Sequence, residues 1–296
     1  MKMSSGKSLT TPPKDLKEAI DWVLRVTGED GMTGSSTVSL LQELEKLDGI
    51  KNAKIIGINL QSSITGLASG LKTFIGYEKG HQKKWKVGSN GVGKPGEVEL
   101  RQLKTQGQNV YVSAYYGSAW FTDVSSNDTS NAKKKSCVQN FLTAILKIFQ
   151  GLTELYYNCR NAWKNDNLSG SNDALKKFMN DNGFRNTQLN TSMTGNRIIS
   201  QTFQNLTEFQ NAYTAVSTNP SLDTFRYQLQ KNAWSNPSNC PLSALYILAT
   251  PAYSKTSITT SKASIATLGA TALAGGAYGL NIGGFATSLN SFFGFT

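Results

Sequence analysis

The chain contains very little histidine or cysteine: one histidine and three cysteines in 296 residues. Zinc and haem sites are built mainly from these residue types, so the composition excludes most such centres. It also disfavours mechanisms that need two histidines. No pair of carboxylates has a spacing that indicates acid–base catalysis. The sequence therefore predicts no metal, no cofactor and no enzymatic activity.

Charged residues are also scarce, at 17% of the chain, and only six of the 30 basic residues are arginine. The 19 acidic residues leave a net charge of +11, which favours acidic partners such as nucleic acid, anionic lipid or acidic glycans. Arginine supplies most bidentate contacts to nucleic acid, so its scarcity disfavours that partner. The densest lysine runs, at 83–86 and 133–135, are interpreted as solvated loop charge or as a contact with an anionic surface.

The first eleven residues lack an apolar core, so we expect no conventional secretory signal, and on this ground alone a cytoplasmic protein. Residues 263–296 carry no charge. Within them, residues 263–286 have the length of a membrane span. Their Gly, Ala, Thr and Ser content makes insertion marginal, so the tail is expected to be either a packed segment or a membrane-associated one.

The three cysteines leave the redox state open. Cys137 and Cys159 are separated by about 33 Å if both lie on one straight helix, so they cannot pair with each other. Cys240 could pair with either, and Cys159–Cys240 is the candidate disulfide. The alternative is three buried free thiols.

Apolar periodicity predicts a mainly α protein, an irregular helical domain around a long central helix. The central helix is predicted from Val138 to Trp163. Shorter helices are predicted at about 16–27 with Gly28 as the stop, 36–47, 173–180, 198–216, 222–234 and 241–250. Residues 53–74 could be strand or helix. Asn196 and Pro220 stand where an N-cap or first-turn residue would be.

A loop-rich insertion is predicted at about 76–135. It contains short strands at 98–103 and 110–121 and a polar loop at 123–135. The expected organisation is thus a helical domain over residues 1–262, with this insertion, followed by the uncharged tail at 263–296.

Two features of the insertion suggest chemistry that their surroundings do not support. Residues 88–94 fit the first seven positions of a phosphate-binding loop, but Pro95 replaces the required Ser or Thr, and an extended segment follows instead of a helix. His81 lies among polar residues and is interpreted as a surface side chain.

An aromatic group is predicted to pack rather than to bind a ligand; it comprises Tyr111, Tyr115, Tyr116, Trp120 and Phe121.

Residues 12–28, with the sequence PPKDLKEAIDWVLRVTG, resemble the N-terminal signature of the variant erythrocyte surface antigens of babesial parasites. Segments at 74–77, 91–96, 240–246 and 276–281 are similar to the same family. The resemblance implies export to the infected erythrocyte surface without a conventional signal peptide, antigenic variation and adhesion to host endothelium. It implies as partners a host endothelial or red-cell ligand, host antibodies, a second antigen subunit and a membrane contacted by the tail.

Two hypotheses follow. The first is a non-enzymatic variant surface antigen or adhesin-like protein that binds no nucleic acid. The alternative is an intracellular basic binding module for nucleic acid or anionic lipid.

Overall fold

A computed structural model describes residues 7–30, 35–47, 50, 57–75, 97–98, 111–115, 128–168, 173–184, 193–216 and 220–250. Most of these residues are helical, which confirms the expected mainly α fold. The helices of the described residues are α1 Leu16–Thr27, α2 Thr37–Leu44, α3 Leu60–Phe74, α4 Asp128–Arg160, α5 Ala174–Asp181, α6 Gly195–Thr202, α7 Thr207–Thr214, α8 Leu222–Ser235 and α9 Pro241–Ala249. A short 3₁₀ helix, Pro237–Asn239, joins α8 to α9.

The long central helix is confirmed as α4, which spans 33 residues, or about 50 Å. Its apolar stripe is buried, including Phe141, Ile145, Phe149 and Leu152. Helices α1, α6 and α9 pack against it, so α4 lies at the centre of one continuous core. Trp163 lies just beyond the end of α4 and is only half-buried.

The beginning of α4 corrects one prediction. The polar loop expected at 123–135 is wrong from Asp128 onward, because the helix begins there. Ala132 and Lys133–Lys135 are good helix formers. They are largely exposed, so this end of α4 carries the polar composition that also characterises loops.

Helix α1 has the predicted limits, and local interactions explain both ends. Asp15 accepts a hydrogen bond from the Glu18 backbone N–H at 2.9 Å and caps the first turn. Gly28 follows the last turn with φ of 73°, the left-handed conformation that glycine adopts at little cost. Every residue from Leu16 to Val26 is buried, because α3 and α4 pack against this helix.

The single helix predicted at 198–216 is wrong, because the structure has two helices, α6 and α7, separated at residues 203–206. Phe203 and Leu206 in the break are buried, so the apolar pattern continues through it and hides it in the sequence. Asn196 lies in the first turn of α6, one of its two predicted placements, and Thr194 is the N-cap; Pro220 instead precedes Ser221, which caps α8.

The ambiguous segment at 53–74 is helical over α3, which Asn59 caps by accepting from Ser62 N–H at 3.0 Å. Two strands, Glu97–Val98 and Tyr111–Val112, form an antiparallel pair with Glu97 opposite Val112. Of the rest of the predicted insertion up to residue 127, only residues 113–115 are described; its other residues and the tail at 263–296 lie outside the described part of the chain. Among the residues that are described, no helix is both long and apolar enough to cross a bilayer.

Candidate functional site

The polar side of α1 is buried under other parts of the chain. Lys17, Glu18, Asp21 and Arg25 lie on this side, and on a surface helix such a face would contact water. All four are buried here. Charged groups removed from water need charged or hydrogen-bonding partners, so their contacts define a built polar network.

Glu18 joins α1 to the segment that precedes it. The Lys7 ammonium donates to both carboxylate oxygens of Glu18 at 2.6 Å, and the Lys14 backbone N–H donates to Oε2 at 3.0 Å. Burial by itself would raise the pKa of Glu18, but the hydrogen bonds from Lys7 and Lys14 and their charges outweigh it and lower the pKa. The ionised carboxylate therefore holds residues 7–14 against α1.

Asp21 joins α1 to a segment nearly a hundred residues away in the sequence. Its Oδ2 atom accepts from the Lys17 ammonium at 2.7 Å and from the Ala114 backbone N–H at 2.8 Å. Tyr115 is fully buried beside it and donates its hydroxyl to the Thr11 carbonyl at 3.0 Å. Tyr115 therefore packs as predicted; the side chains of the other aromatic residues in the group, at 111, 116, 120 and 121, lie outside the described residues.

The carbonyl of Leu9 is a further contact between the N-terminal segment and the core. It accepts hydrogen bonds from Trp22 Nε1 at 2.9 Å, from Asn140 Nδ2 at 2.9 Å and from the Cys137 thiol at 3.1 Å. These donors come from α1 and α4, so one backbone oxygen connects both helices to the segment. Burial raises the pKa of Cys137, so its thiol stays protonated and acts as a donor.

The candidate disulfide between Cys159 and Cys240 is not formed; all three cysteines are free and buried. Cys159 lies at the end of α4 against Gly195, whereas Cys240 precedes α9 near Glu208. Burial, reinforced by the charge of Glu208, raises the pKa of Cys240 to about 12. Such thiols are protonated at neutral pH and are weak nucleophiles.

Glu208 is a second carboxylate in a built site. It is 1% exposed and lies on α7, yet it accepts from the Leu242 and Ser243 backbone N–H groups at 3.1 and 3.0 Å and from the Ser243 hydroxyl at 2.5 Å. These N–H groups belong to the first turn of α9, which has no side-chain cap of its own. Glu208 therefore caps α9 from a different helix.

Sequence reasoning missed both carboxylate sites. The sequence does carry a signal for Glu208. Cys240, which precedes α9, has no capping side chain, so the buried N–H groups of the first turn need a hydrogen-bond acceptor from elsewhere in the chain. The sequence does not say which acid supplies it. For Glu18 and Asp21 the local signal is the four-residue spacing to Lys14 and Lys17, which is also typical of an exposed helix face. Their contacts with Lys7 and Ala114 leave no local signal, because those segments are distant in the chain or outside any periodic pattern.

A group of lysines gathers on the surface where the start of α4 passes α2. Glu43 Oε1 accepts from Lys46 Nζ at 2.7 Å, and Lys134 Nζ lies 3.8 Å from the same oxygen. Lys133 and Lys135 beside them are exposed. Of the two lysine runs in the sequence, only this one belongs to the described residues.

His81 and the glycine-rich loop at 88–94 also lie outside the described residues. Within the described parts of the chain, no three or more metal-ligating side chains converge. Glu18, Asp21 and Glu208 accept hydrogen bonds between segments, and the Cys137 thiol donates one. These buried contacts stabilise the fold, whereas the lysine group lies at the surface.

No protein-family model matches this chain, and comparisons with curated proteins and with solved structures find no match either.

Proposed function

We propose that the protein is a non-enzymatic variant surface antigen, adhesin-like, displayed on infected erythrocytes. Its primary support is the resemblance of residues 12–28 to the signature of the babesial variant antigens. In the fold these residues comprise the end of the N-terminal segment, the whole of α1 and its Gly28 cap. This observation carries the proposal. The residues of α1 are buried on all sides, and fully buried residues tolerate the fewest substitutions.

The packing around α1 explains why such a signature would be retained while the rest of an antigen changes. Trp22 is fully buried and donates to Leu9, and Arg25 donates to both oxygens of buried Asp30 at 2.8 and 3.0 Å. Replacing a residue of this kind leaves a cavity or an unpaired buried charge. Variation in a surface antigen is therefore expected away from α1.

In this proposal, variation concentrates in the loop-rich insertion at about 76–127, which carries short β-strands and forms the outermost part of the molecule. Host antibodies and a host endothelial or red-cell ligand bind there. A second antigen subunit is a further partner, and the uncharged tail at 263–296 contacts a membrane. Export to the erythrocyte surface proceeds without a conventional signal peptide.

The buried reactive groups support a non-enzymatic role. The thiols of Cys137, Cys159 and Cys240 have pKa values raised by burial. Glu208 is occupied by the first turn of α9. A group whose hydrogen-bonding capacity is already used in the fold is a poor candidate for attack on a substrate.

The proposal is tested by treating intact infected erythrocytes with trypsin. Removal of the protein's signal from intact cells, while a cytosolic parasite protein survives, is the expected result. Permeabilised cells serve as the control, because trypsin must cleave both proteins there. Survival of the protein on intact cells from which known surface proteins have been cleaved would refute surface display.

A further inference from the structure

The lysine group at the start of α4 concentrates positive charge that the fold leaves unneutralised. We call Lys46, Lys133, Lys134 and Lys135, with Val38, the basic patch. Lys46 and Lys134 share the single carboxylate of Glu43. Lys133 and Lys135 are exposed and form no ion pair with any other residue that the structure describes.

The other lysines of the described fold differ among themselves: Lys147, Lys164, Lys176 and Lys231 form no ion pair with a described residue either. Several others lie within ion-pair distance of a carboxylate; they are Lys7, Lys14, Lys17, Lys72 and Lys177. Lys133 and Lys135 flank Lys134 in the sequence and lie beside two lysines that share one acid, so positive charge is concentrated here. Glu45 is also exposed nearby, so the four lysines and two glutamates give the area a net charge of +2.

An exposed apolar side chain lies on α2, the helix that also carries Glu43. Val38 is 66% exposed and is one of two large apolar side chains with high exposure among the described residues. Val38, Gln42 and Lys46 are spaced at four-residue intervals, so they share the outward face of α2 and of the turn that continues it. Leu40 and Leu44 on the opposite face are fully buried.

The combination of these side chains indicates the kind of partner. Lysine is a compact point charge that binds anionic headgroups without a fixed geometry, whereas recognition of nucleic acid relies on the planar fork of arginine. An exposed valine contributes nothing to contact with a sulfated glycan or a phosphodiester chain. It does favour the boundary between headgroups and acyl chains of a bilayer.

We propose that the basic patch docks the protein on the surface of an anionic phospholipid bilayer, with the lysines on the headgroups and Val38 at the acyl boundary. This proposal is independent of surface display, since it concerns a contact that purified protein makes with lipid alone. It adds a lipid contact on α2 and α4 to the one proposed for the uncharged tail.

The test uses the full chain and co-sedimentation with vesicles of phosphatidylcholine that contain about 30% phosphatidylserine, at about 0.1 M salt. The wild type is expected to bind these vesicles and to bind pure phosphatidylcholine much more weakly. Each lysine near an anionic surface changes affinity by about fivefold, so Lys133→Gln with Lys135→Gln should lower the partition coefficient by about 25-fold. Val38→Ser should lower it about threefold and leave its salt dependence unchanged.

The matched control is Lys164→Gln with Lys231→Gln. These two lysines are also exposed and form no ion pair with another described residue, and Lys164 follows the opposite end of α4. This control removes the same charge and should change binding less than about threefold. Because all four positions are exposed, thermal unfolding of both double variants should match that of the wild type.

Four results would overturn the proposal. The first is a failure of the wild type to bind anionic vesicles. The second is an equal loss of vesicle binding in the two double variants, which would mean that net charge alone determines the affinity. The third is binding to heparin or single-stranded RNA that requires Lys133 and Lys135 while vesicle binding does not; the patch would then be a polyanion site. Equal binding to neutral and anionic vesicles would assign the contact to the tail instead.

Discussion

At the scale of single residues, the buried carboxylate of Glu208 stabilises a helix to which it does not belong. Three donors from Leu242 and Ser243 converge on it, and removing it leaves the first turn of α9 without partners in a buried environment. A buried donor without a partner costs about 1–3 kcal/mol, so Glu208→Ala is expected to lower the free energy of unfolding by about 3 kcal/mol. Chemical denaturation measures this loss.

Ser243→Ala is the matched control, because it removes one hydroxyl donor and keeps the cap on both backbone N–H groups. Its expected cost is about 1 kcal/mol. If the two substitutions were equally mild, Glu208 would not cap α9, and the helix would obtain its stability from packing alone.

The same residue gives the protein a defined pH dependence. Burial raises the pKa of Glu208 above its ordinary value of 4.5, and the hydrogen bonds from Ser243 and Leu242 offset only part of this rise. The folded protein therefore binds this proton more tightly than the unfolded chain, so the contribution of Glu208 to stability decreases as pH rises from about 4.5 through the folded pKa.

Glu208→Gln isolates this effect, because glutamine has a similar shape and does not titrate. The unfolding free energy of the wild type minus that of the glutamine variant should fall as pH rises from about 4.5 through the folded pKa. Thermal or denaturant unfolding across this range measures the difference. A difference that grows with pH would mean that the carboxylate is stabilised in its ionised form.

At the scale of elements, α1 and α4 could be predicted from the sequence because their apolar residues recur at helical spacing over several turns. Gly28 marks the end of α1 because its left-handed conformation suits glycine, a local preference that the sequence carries. The start of α4 at Asp128 could not be predicted, since the residues there are polar and no apolar stripe marks them. The break between α6 and α7 was hidden because Phe203 and Leu206 continue the apolar pattern.

The core position of α4 predicts a large effect at Phe149. This side chain is 1% exposed and stacks on Tyr246 of α9 with ring centroids 3.7 Å apart. Phe149→Ala is expected to lower the free energy of unfolding by about 3 kcal/mol, because it leaves a cavity between two helices. Gln150→Ala at the adjacent half-buried position should change it by less than about 0.5 kcal/mol. Similar denaturation midpoints for the two variants would place the core elsewhere.

The N-terminal segment and α1 form one unit that depends on Glu18. The lowered pKa of Glu18 means that its contribution is present above its ordinary value of 4.5 and is lost as pH falls through the lower folded pKa. Glu18→Gln removes the charge that holds Lys7, so the Lys7 backbone N–H, which donates to the Ala114 carbonyl at 3.0 Å, should exchange with solvent faster.

Amide hydrogen exchange at neutral pH measures this opening. Lys177→Gln is the control, since it breaks an exposed ion pair with Asp181 on α5 and should leave the Lys7 amide unaffected. Unchanged protection of Lys7 in Glu18→Gln would show that Leu9 and its three donors hold the segment without the ion pair.

At the scale of the whole molecule, the sequence predicts the fold class and central helix, but not what covers the polar side of α1. Glu208, and in part Glu18 and Asp21, are satisfied by groups from other segments, and such pairings leave no periodic trace. The opposite holds for the basic patch, whose lysine run is visible in the sequence. Its relation to Lys46, Glu43 and Val38 appears only when α2 and α4 are packed together.

The division between a helical frame and an insertion predicts the order of proteolytic cleavage. Trypsin needs an extended stretch of backbone, so lysines within helices resist cleavage until the helix opens. The composition of residues 76–96 predicts the first cuts at Lys83, Lys84 and Lys86. Lys147 and Arg160 should be cut last, because both lie on α4; the Lys147 ammonium also donates to the Lys14 carbonyl at 3.1 Å.

Mass spectrometry of a limited digest measures this order. The control is a digest of the unfolded chain, in which all these sites are cut at comparable rates. Since Lys133–Lys135 are helical, cuts there should follow those at 83–86. Early cleavage at Lys147 or Arg160 in the folded protein would contradict a stable α4 and remove the frame on which variable loops could be displayed.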